Sequence, residues 1–213
     1  MRHMALFTAA TMALLAPLAA TAADTAELKV TGTITPASCS VSILGPADVQ
    51  LDPVKLSDFT PGQDLALETK EASLSIDCQG APARFRLKAA DSGEGVSTVG
   101  ANHYSLGRNL QGGGNAANGY FKLSIDAEAM ASRYVLKSTD SGAGQAWATP
   151  VTGEVAFDHD GEAFAFANQA DATEPAALTS LTVPLKIAAV LAKDPVVNED
   201  VALYGRATIE IFY

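Results

Sequence analysis

The sequence predicts an all-β sandwich, and three observations carry that reading. Apolar residues recur with period two over segment after segment. Turn-forming residues separate those segments, with 17 Gly and 10 Pro in 213 residues. Beyond the first two dozen residues, helical spacing is confined to one short stretch. Hydrophobic residues make up 48% of the chain and charged residues 18%, so a packed core can form and disorder is not expected. Many short strands with turns between them indicate a sandwich, here as one domain over 24–213.

The chain opens Met1-Arg2-His3-Met4 and then runs apolar from Ala5 to Ala16. A basic start, a short apolar stretch, Pro17 and the small residues Ala20-Thr21-Ala22 read as a secretory signal over 1–23. A membrane anchor is the alternative, but the run falls short of the ~20 residues that span a bilayer. No later segment is apolar for long enough, so no membrane span is expected.

Acidic residues outnumber basic ones, 24 to 14, for a formal net charge of −10. Removing 1–23 takes away Arg2 and no acid. Such a chain is not expected to bind nucleic acid, which needs Lys and Arg on one face, or to dock on an anionic bilayer.

Two cysteines remain, Cys39 and Cys78. In an exported protein an even count points to a bridge. Metal ligation is the alternative reading, set back because the spacing is not Cys-x-x-Cys and no His is near.

The first strand is expected at Ala26–Ile34, with Ala26, Leu28, Val30, Gly32 and Ile34 on one face and Glu27, Lys29, Thr31 and Thr33 on the other. Pro36 ends it. Val41 and Ile43 begin a second. Pro46, Pro53, Pro61 and Gly62 make 45–63 an irregular connection. Leu74, Ile76 and Cys78 alternate with Ser73, Ser75 and Asp77, which turns Cys78 inward. Phe85 and Leu87 alternate with Arg84, Arg86 and Lys88, a wet basic face.

Residues 91–118 read as loop, including Gly112-Gly113-Gly114-Asn115, which lacks the Lys and the following helix of a phosphate loop. Strands follow at Tyr120–Ile125, Tyr134–Lys137 and Phe164–Phe166. Asp126–Arg133 is expected to form a single helical turn. Leu181 to Leu191 alternate over eleven residues, and Pro184 inside that run calls for an edge or a bulge. The chain ends Ala207-Thr208-Ile209-Glu210-Ile211-Phe212-Tyr213, with Ala207, Ile209, Ile211 and Tyr213 on one face. A terminal strand with a free side is an exposed edge, and uncapped edges often accept another strand.

Three stretches resemble the chaperone–usher fimbrial subunits. Val30-Thr31-Gly32-Thr33-Ile34-Thr35-Pro36-Ala37-Ser38-Cys39 is similar to their opening, and Leu74-Ser75-Ile76-Asp77-Cys78 to their second-cysteine strand. Gly205-Arg206-Ala207-Thr208-Ile209-Glu210-Ile211-Phe212-Tyr213, with a Gly, an alternating apolar face and a closing aromatic, is similar to their terminal strand. Together with Leu106-Gly107 and the end Leu203-Tyr204-Gly205-Arg206-Ala207-Thr208-Ile209-Glu210, the opening most resembles a fimbrial-like proteobacterial group of unknown function.

The resemblance implies an incomplete immunoglobulin-like, pilin-like sandwich lacking its final strand. It implies folding with a periplasmic chaperone, passage through an outer-membrane usher, and assembly with neighbouring subunits at the cell surface by donor-strand exchange. It pairs Cys39 with Cys78 as a disulfide. It places Gly205, Ala207, Ile209, Ile211 and Tyr213 along the groove, with the Tyr213 carboxylate meeting basic chaperone residues. The chain departs from the pattern before Thr31, where few residues remain for a donor extension. Ala26, Leu28, Val30, Gly32 and Ile34 are then either the donor strand itself or the first strand of the sandwich. The other function class is a self-complete periplasmic or cell-surface binding module, such as a glycan adhesin.

Nothing in the residues points to an enzyme, a cofactor or a metal. Asp158-His159-Asp160-Gly161-Glu162 invites a calcium or catalytic reading. It lacks the ordered carboxylates of a calcium loop and is expected to be an exposed turn. No Gly-x-Ser-x-Gly occurs. Trp147 with Tyr104 and Tyr134 could line a carbohydrate platform, but a lone Trp is more often core or interface.

Overall fold

The computed structural model describes residues 38–45, 47–93, 100–111, 114, 116–140, 143, 146–148 and 150–213. The signal expected at 1–23 and the strand expected at Ala26–Ile34 lie outside the described residues, as do most of Gly112–Asn115. Chain contacts divide the molecule between Thr35 and Pro36, and the sandwich is the unit from Pro36 to Tyr213.

Thirteen strands are described: β1 (Ser40–Leu44), β2 (Leu65–Ala66), β3 (Lys70–Asp77), β4 (Arg86–Asp91), β5 (Tyr104–Ser105), β6 (Arg108–Asn109), β7 (Ala116–Ala117), β8 (Gly119–Asp126), β9 (Tyr134–Lys137), β10 (Glu154–Ala156), β11 (Phe164–Ala167), β12 (Ser180–Leu191) and β13 (Ala207–Phe212). One sheet runs β1-β3-β12-β8-β10, with β2 also on β12 and β5 on β8. The other runs β13-β4-β11-β9, and β6 pairs with β7 apart from both. Every pairing is antiparallel. The fold is an all-β, immunoglobulin-like sandwich.

Alternation builds the core. Leu74 and Ile76 of β3, Leu123 and Ile125 of β8, and Val183, Leu185 and Ile187 of β12 are buried from one sheet. Phe85 and Leu87 at β4, Val135 of β9, and Phe164 and Phe166 of β11 meet them from the other. Cys78, just past β3, is buried and disulfide-bonded to Cys39 just before β1.

Pro184, where an edge or a bulge was expected, sits in a central strand opposite Ser73 of β3, and the register accommodates it on the β8 side. Ala189 and Thr179 turn their carbonyls toward the β2 and β3 side, accepting from Leu67 and Cys78. Backbone direction alternates along a strand, so Pro184 faces β8. The β8 ladder stops at Leu185. The missing N–H therefore falls just beyond the last β8 partner and forfeits no ladder bond.

Two expectations need correction. Residues 126–133 form successive turns, not a helical turn: Met130 donates to Ala127 and Arg133 to Met130. Asp126 draws off the Ala129 N–H with its side chain, and Ser132 adopts a φ of 56°. The 91–118 stretch is also not all loop. Tyr104 is fully buried, donates its hydroxyl to the Phe157 carbonyl at 2.5 Å and stacks on Phe121. This anchor draws β5 onto β8.

Gly119 shows how tightly β8 meets β12. Its φ is +142°, and a Cβ there would lie 2.1 Å from the Val190 carbonyl oxygen.

Candidate functional site

β13 ends its sheet and β1 ends the other. β13 pairs with β4 on one side, from Ala207↔Asp91 to Phe212↔Arg86. β1 pairs with β3 on one side, from Ser40↔Asp77 to Leu44↔Ser73. Among the described residues, no strand pairs with the other edge of either. The two edges neighbour each other.

A cavity of about 1080 Å³ opens along them. Phe121, Leu123, Leu185 and Ile187 form its floor, and Ile43, Ala207 and Ile209 come from the two edge strands. Leu51, Val54 and Phe59 of the 45–63 connection close one flank; Val196, Val201 and Leu203 close the other. Leu56, Val196 and Tyr204 are each at least half exposed around it. The arrangement sets a cavity with an apolar floor beside main-chain edges that have no partner among the described residues, which is what an added strand satisfies.

Local chemistry shapes each wall. The 203–206 segment is drawn inward because Tyr204 N–H donates to the Leu106 carbonyl. Gly205 makes that approach feasible: a Cβ there would sit 2.7 Å from the Phe121 ring and 2.9 Å from the Ser105 oxygen. Asp91 accepts from the backbone N–H groups of Gly93 and Ser105, tying β4 to β5. Asn109 donates to the Val196 carbonyl, and Gln111 accepts from Asn198 and Glu199, fixing the loop before β13.

Of the five residues expected along the groove strand, Gly205, Ala207 and Ile209 line the cavity. Ile211 packs on the core beyond it. Tyr213 lies past the end of β13, 56% exposed, and closes the groove at the disulfide end. Its hydroxyl meets both the N–H and the carbonyl of Cys39. Its own carbonyl oxygen accepts from Arg86 Nη1 at 3.2 Å. The chain thus supplies a basic partner of its own at its C-terminus. The five residues of the expected donor strand, Ala26, Leu28, Val30, Gly32 and Ile34, lie outside the described residues. Leu51, Val54, Phe59 and Leu203 were not foreseen as lining. Only their apolar character within loop sequence could have marked them.

The other singled-out residues fall elsewhere. Tyr104 is interior, whereas Trp147 and Tyr134 pack together against Leu136, Ala165 and Ala167 on the far side of the second sheet. The three aromatics do not form one platform. Arg84 pairs with Glu174 at 3.0 Å, and Arg86 and Lys88 both lie over the Phe212 ring. Asp158–Glu162 is not a plain exposed turn: Asp158 and Glu162 close around Lys137 of β9, which sequence reasoning passed over. His159 bonds the His103 carbonyl through Nε2 and meets the Tyr104 ring edge-on.

Among the described residues, no cluster of three or more His, Cys, Asp or Glu could hold a metal, and no helix is long and apolar enough to cross a membrane. No family model matches the chain, and no curated protein matches it.

Proposed function

We propose that this protein is an exported structural subunit of a fimbrial-like surface fibre, and that it works by accepting a β-strand from a partner into the groove between β1 and β13. The observation that carries the reading is the coincidence of two strand edges that have no partner among the described residues with a cavity of about 1080 Å³, apolar at its floor, between them. Filling it buries apolar surface and satisfies main-chain groups at one stroke. A periplasmic chaperone fills the groove first; after export through an usher, the Ala26–Ile34 segment of a neighbouring subunit replaces it. That segment has the alternating apolar face such a strand needs.

The test is a surface extract sheared from cells expressing the protein, run on SDS gels unboiled and boiled. A ladder that collapses to one band on boiling supports strand exchange. One monomer band in both lanes, with the protein confined to the periplasm, overturns it in favour of a self-complete binding module.

A further inference from the structure

Away from the groove, Lys137 extends its ammonium between two carboxylates of the loop joining β10 to β11. Nζ lies 2.9 Å from Asp158 Oδ2 and 2.5 Å from Glu162 Oε2. The Asp158 side chain is 13% exposed and that of Glu162 26%. The aromatic side is supplied by Phe164, whose ring lies 6.0 Å from Nζ, and by Phe157 edge-on to it. Strand pairing fixes the geometry, since Lys137 sits opposite Phe164. Next to it, Ser138 N–H donates to Ala163 and Ala163 N–H donates to the Ser138 hydroxyl. An amine and two carboxylates are thus held together, with Nζ in direct hydrogen-bond contact with the Asp158 carboxylate.

We propose that Lys137 and Asp158 join in an intramolecular isopeptide bond, with Glu162 carrying the protons. Glu162 takes a proton from Nζ, and the free amine attacks Cγ of Asp158. The C–N bond forms and one C–O bond breaks. Nζ passes from three protons to one, and the two it gives up leave with the departing Asp158 oxygen as water. Nothing is oxidised or reduced, and no co-reactant enters.

Glu162 suits the carrier role. Burial, and then Asp158, hold its carboxyl above the usual glutamate range, so it accepts a proton more readily than an ordinary carboxylate; on Lys137 burial acts the other way, but the two carboxylates outweigh it and hold the ammonium above its ordinary value, so Glu162 must take the proton from a donor that holds it tightly. Its Oε2 is buried, and Lys137 Nζ, 2.5 Å away, is its ion-pair partner. Asp158, the less exposed acid, is the better electrophile, since partial exclusion of water favours loss of water from that carboxyl. The amide would lock β9 to the β10–β11 loop in a protein that has to survive outside the cell.

The test is the intact mass of the purified, unreduced protein with its N-terminus established. The expected mass is lower by one water than the disulfide-bonded sequence requires. Trypsin should leave residues 134–186 uncut after Lys137. Cleavage after glutamates should yield fragment 129–154 joined to fragment 155–162. Lys137→Arg should restore the full mass. Glu162→Gln, shown to be folded by circular dichroism, should form the link about a hundredfold more slowly or not at all. A wild-type protein at full mass overturns the proposal. So does a loss of water that survives Lys137→Arg, which would place a cyclised aspartate at Asp160-Gly161 instead.

Discussion

The hydroxyl of Tyr213 bonds the backbone of Cys39 on both its N–H and its carbonyl side, so the last residue of the chain fastens onto the approach to the first strand of the sandwich. β13 and β1 belong to different sheets, and this clasp joins their edges at one end. The groove is therefore open along the Ala207–Ile209 stretch and closed at the disulfide. Tyr213→Phe keeps the ring and removes the hydroxyl. The bonds are solvent-exposed, so the expected loss is modest, about 0.5–1 kcal/mol in urea unfolding. A variant as stable as the parent would show that the clasp contributes nothing.

The Cys39–Cys78 bridge pins the start of β1 to the end of β3. Between them run the β1–β2 connection and the whole of β3, so the closed loop is long. Chain-entropy arithmetic for a loop of that size gives about 4 kcal/mol. The double substitution Cys39→Ser, Cys78→Ser should lower the urea midpoint accordingly, and β1, held to one neighbouring strand among the described residues, should lose amide protection first in hydrogen exchange. Uniform loss of protection across both sheets would contradict this.

Gly119→Ala tests the contact at the head of β8. The positive φ and the nearness of the Val190 carbonyl act together, because the obstructing atom is backbone and cannot swing aside. The expected cost is about 3 kcal/mol or more. Gly153→Ala is the control: its φ is also positive, at +80°, but the nearest atom to a Cβ is a Glu128 side-chain oxygen at 3.9 Å. It should cost about 1 kcal/mol, from backbone strain alone. Equal losses in thermal unfolding would refute the distinction.

These glycines also mark how far the sequence could be read. Period-two alternation located β3, β4, β8, β11, β12 and β13, because each buries one face and side-chain direction is fixed by the backbone. Pro184 called for an edge or a bulge, and it lies in a central strand at the point where the β12–β8 ladder has ended. Tertiary partners were beyond reach. Tyr104 looked like loop because its burial depends on the Phe157 carbonyl, 53 residues away. Lys137 looked like an ordinary wet residue of a strand, since the acids that surround it come from beyond the next strand. The groove was legible in part: Ala207 and Ile209 announced an edge strand, but the lining from Leu51, Val54 and Phe59 comes from a segment whose sequence spoke only of turns.

Acid unfolding should report the Asp126–Lys186 pair. The Lys186 ammonium, 2.8 Å away, holds the Asp126 carboxyl below the usual aspartate range, and burial opposes this less strongly. A lowered folded value means that the unfolded chain takes up the proton first as pH falls. The pair therefore contributes at neutral pH, and its contribution is lost as pH drops below the ordinary aspartate value toward the lowered one. Asp126→Asn should be less stable than the parent at pH 7 and should close the gap near pH 3. A gap that stays constant or widens toward acid would show the sign to be wrong.

The groove is best tested by filling it. Ala207 is half-buried, lies on β13 and faces the cavity. Ala207→Trp adds a large apolar side chain where volume already exists, so the sandwich should still fold, with an unfolding midpoint close to that of the parent. An incoming strand, however, needs that space for its own alternating side chains. Such a variant should be recovered with intact disulfide and native circular dichroism, yet give no boiling-sensitive ladder from sheared cell surfaces. Thr208→Val is the matched control. Thr208 is the neighbour whose hydroxyl pairs with Ser92 on the far side of the strand, and its substitution should leave laddering unchanged. If Ala207→Trp ladders as well as the parent, the cavity is not where the strand is received, and the open edge of β13 must be explained by something other than strand uptake.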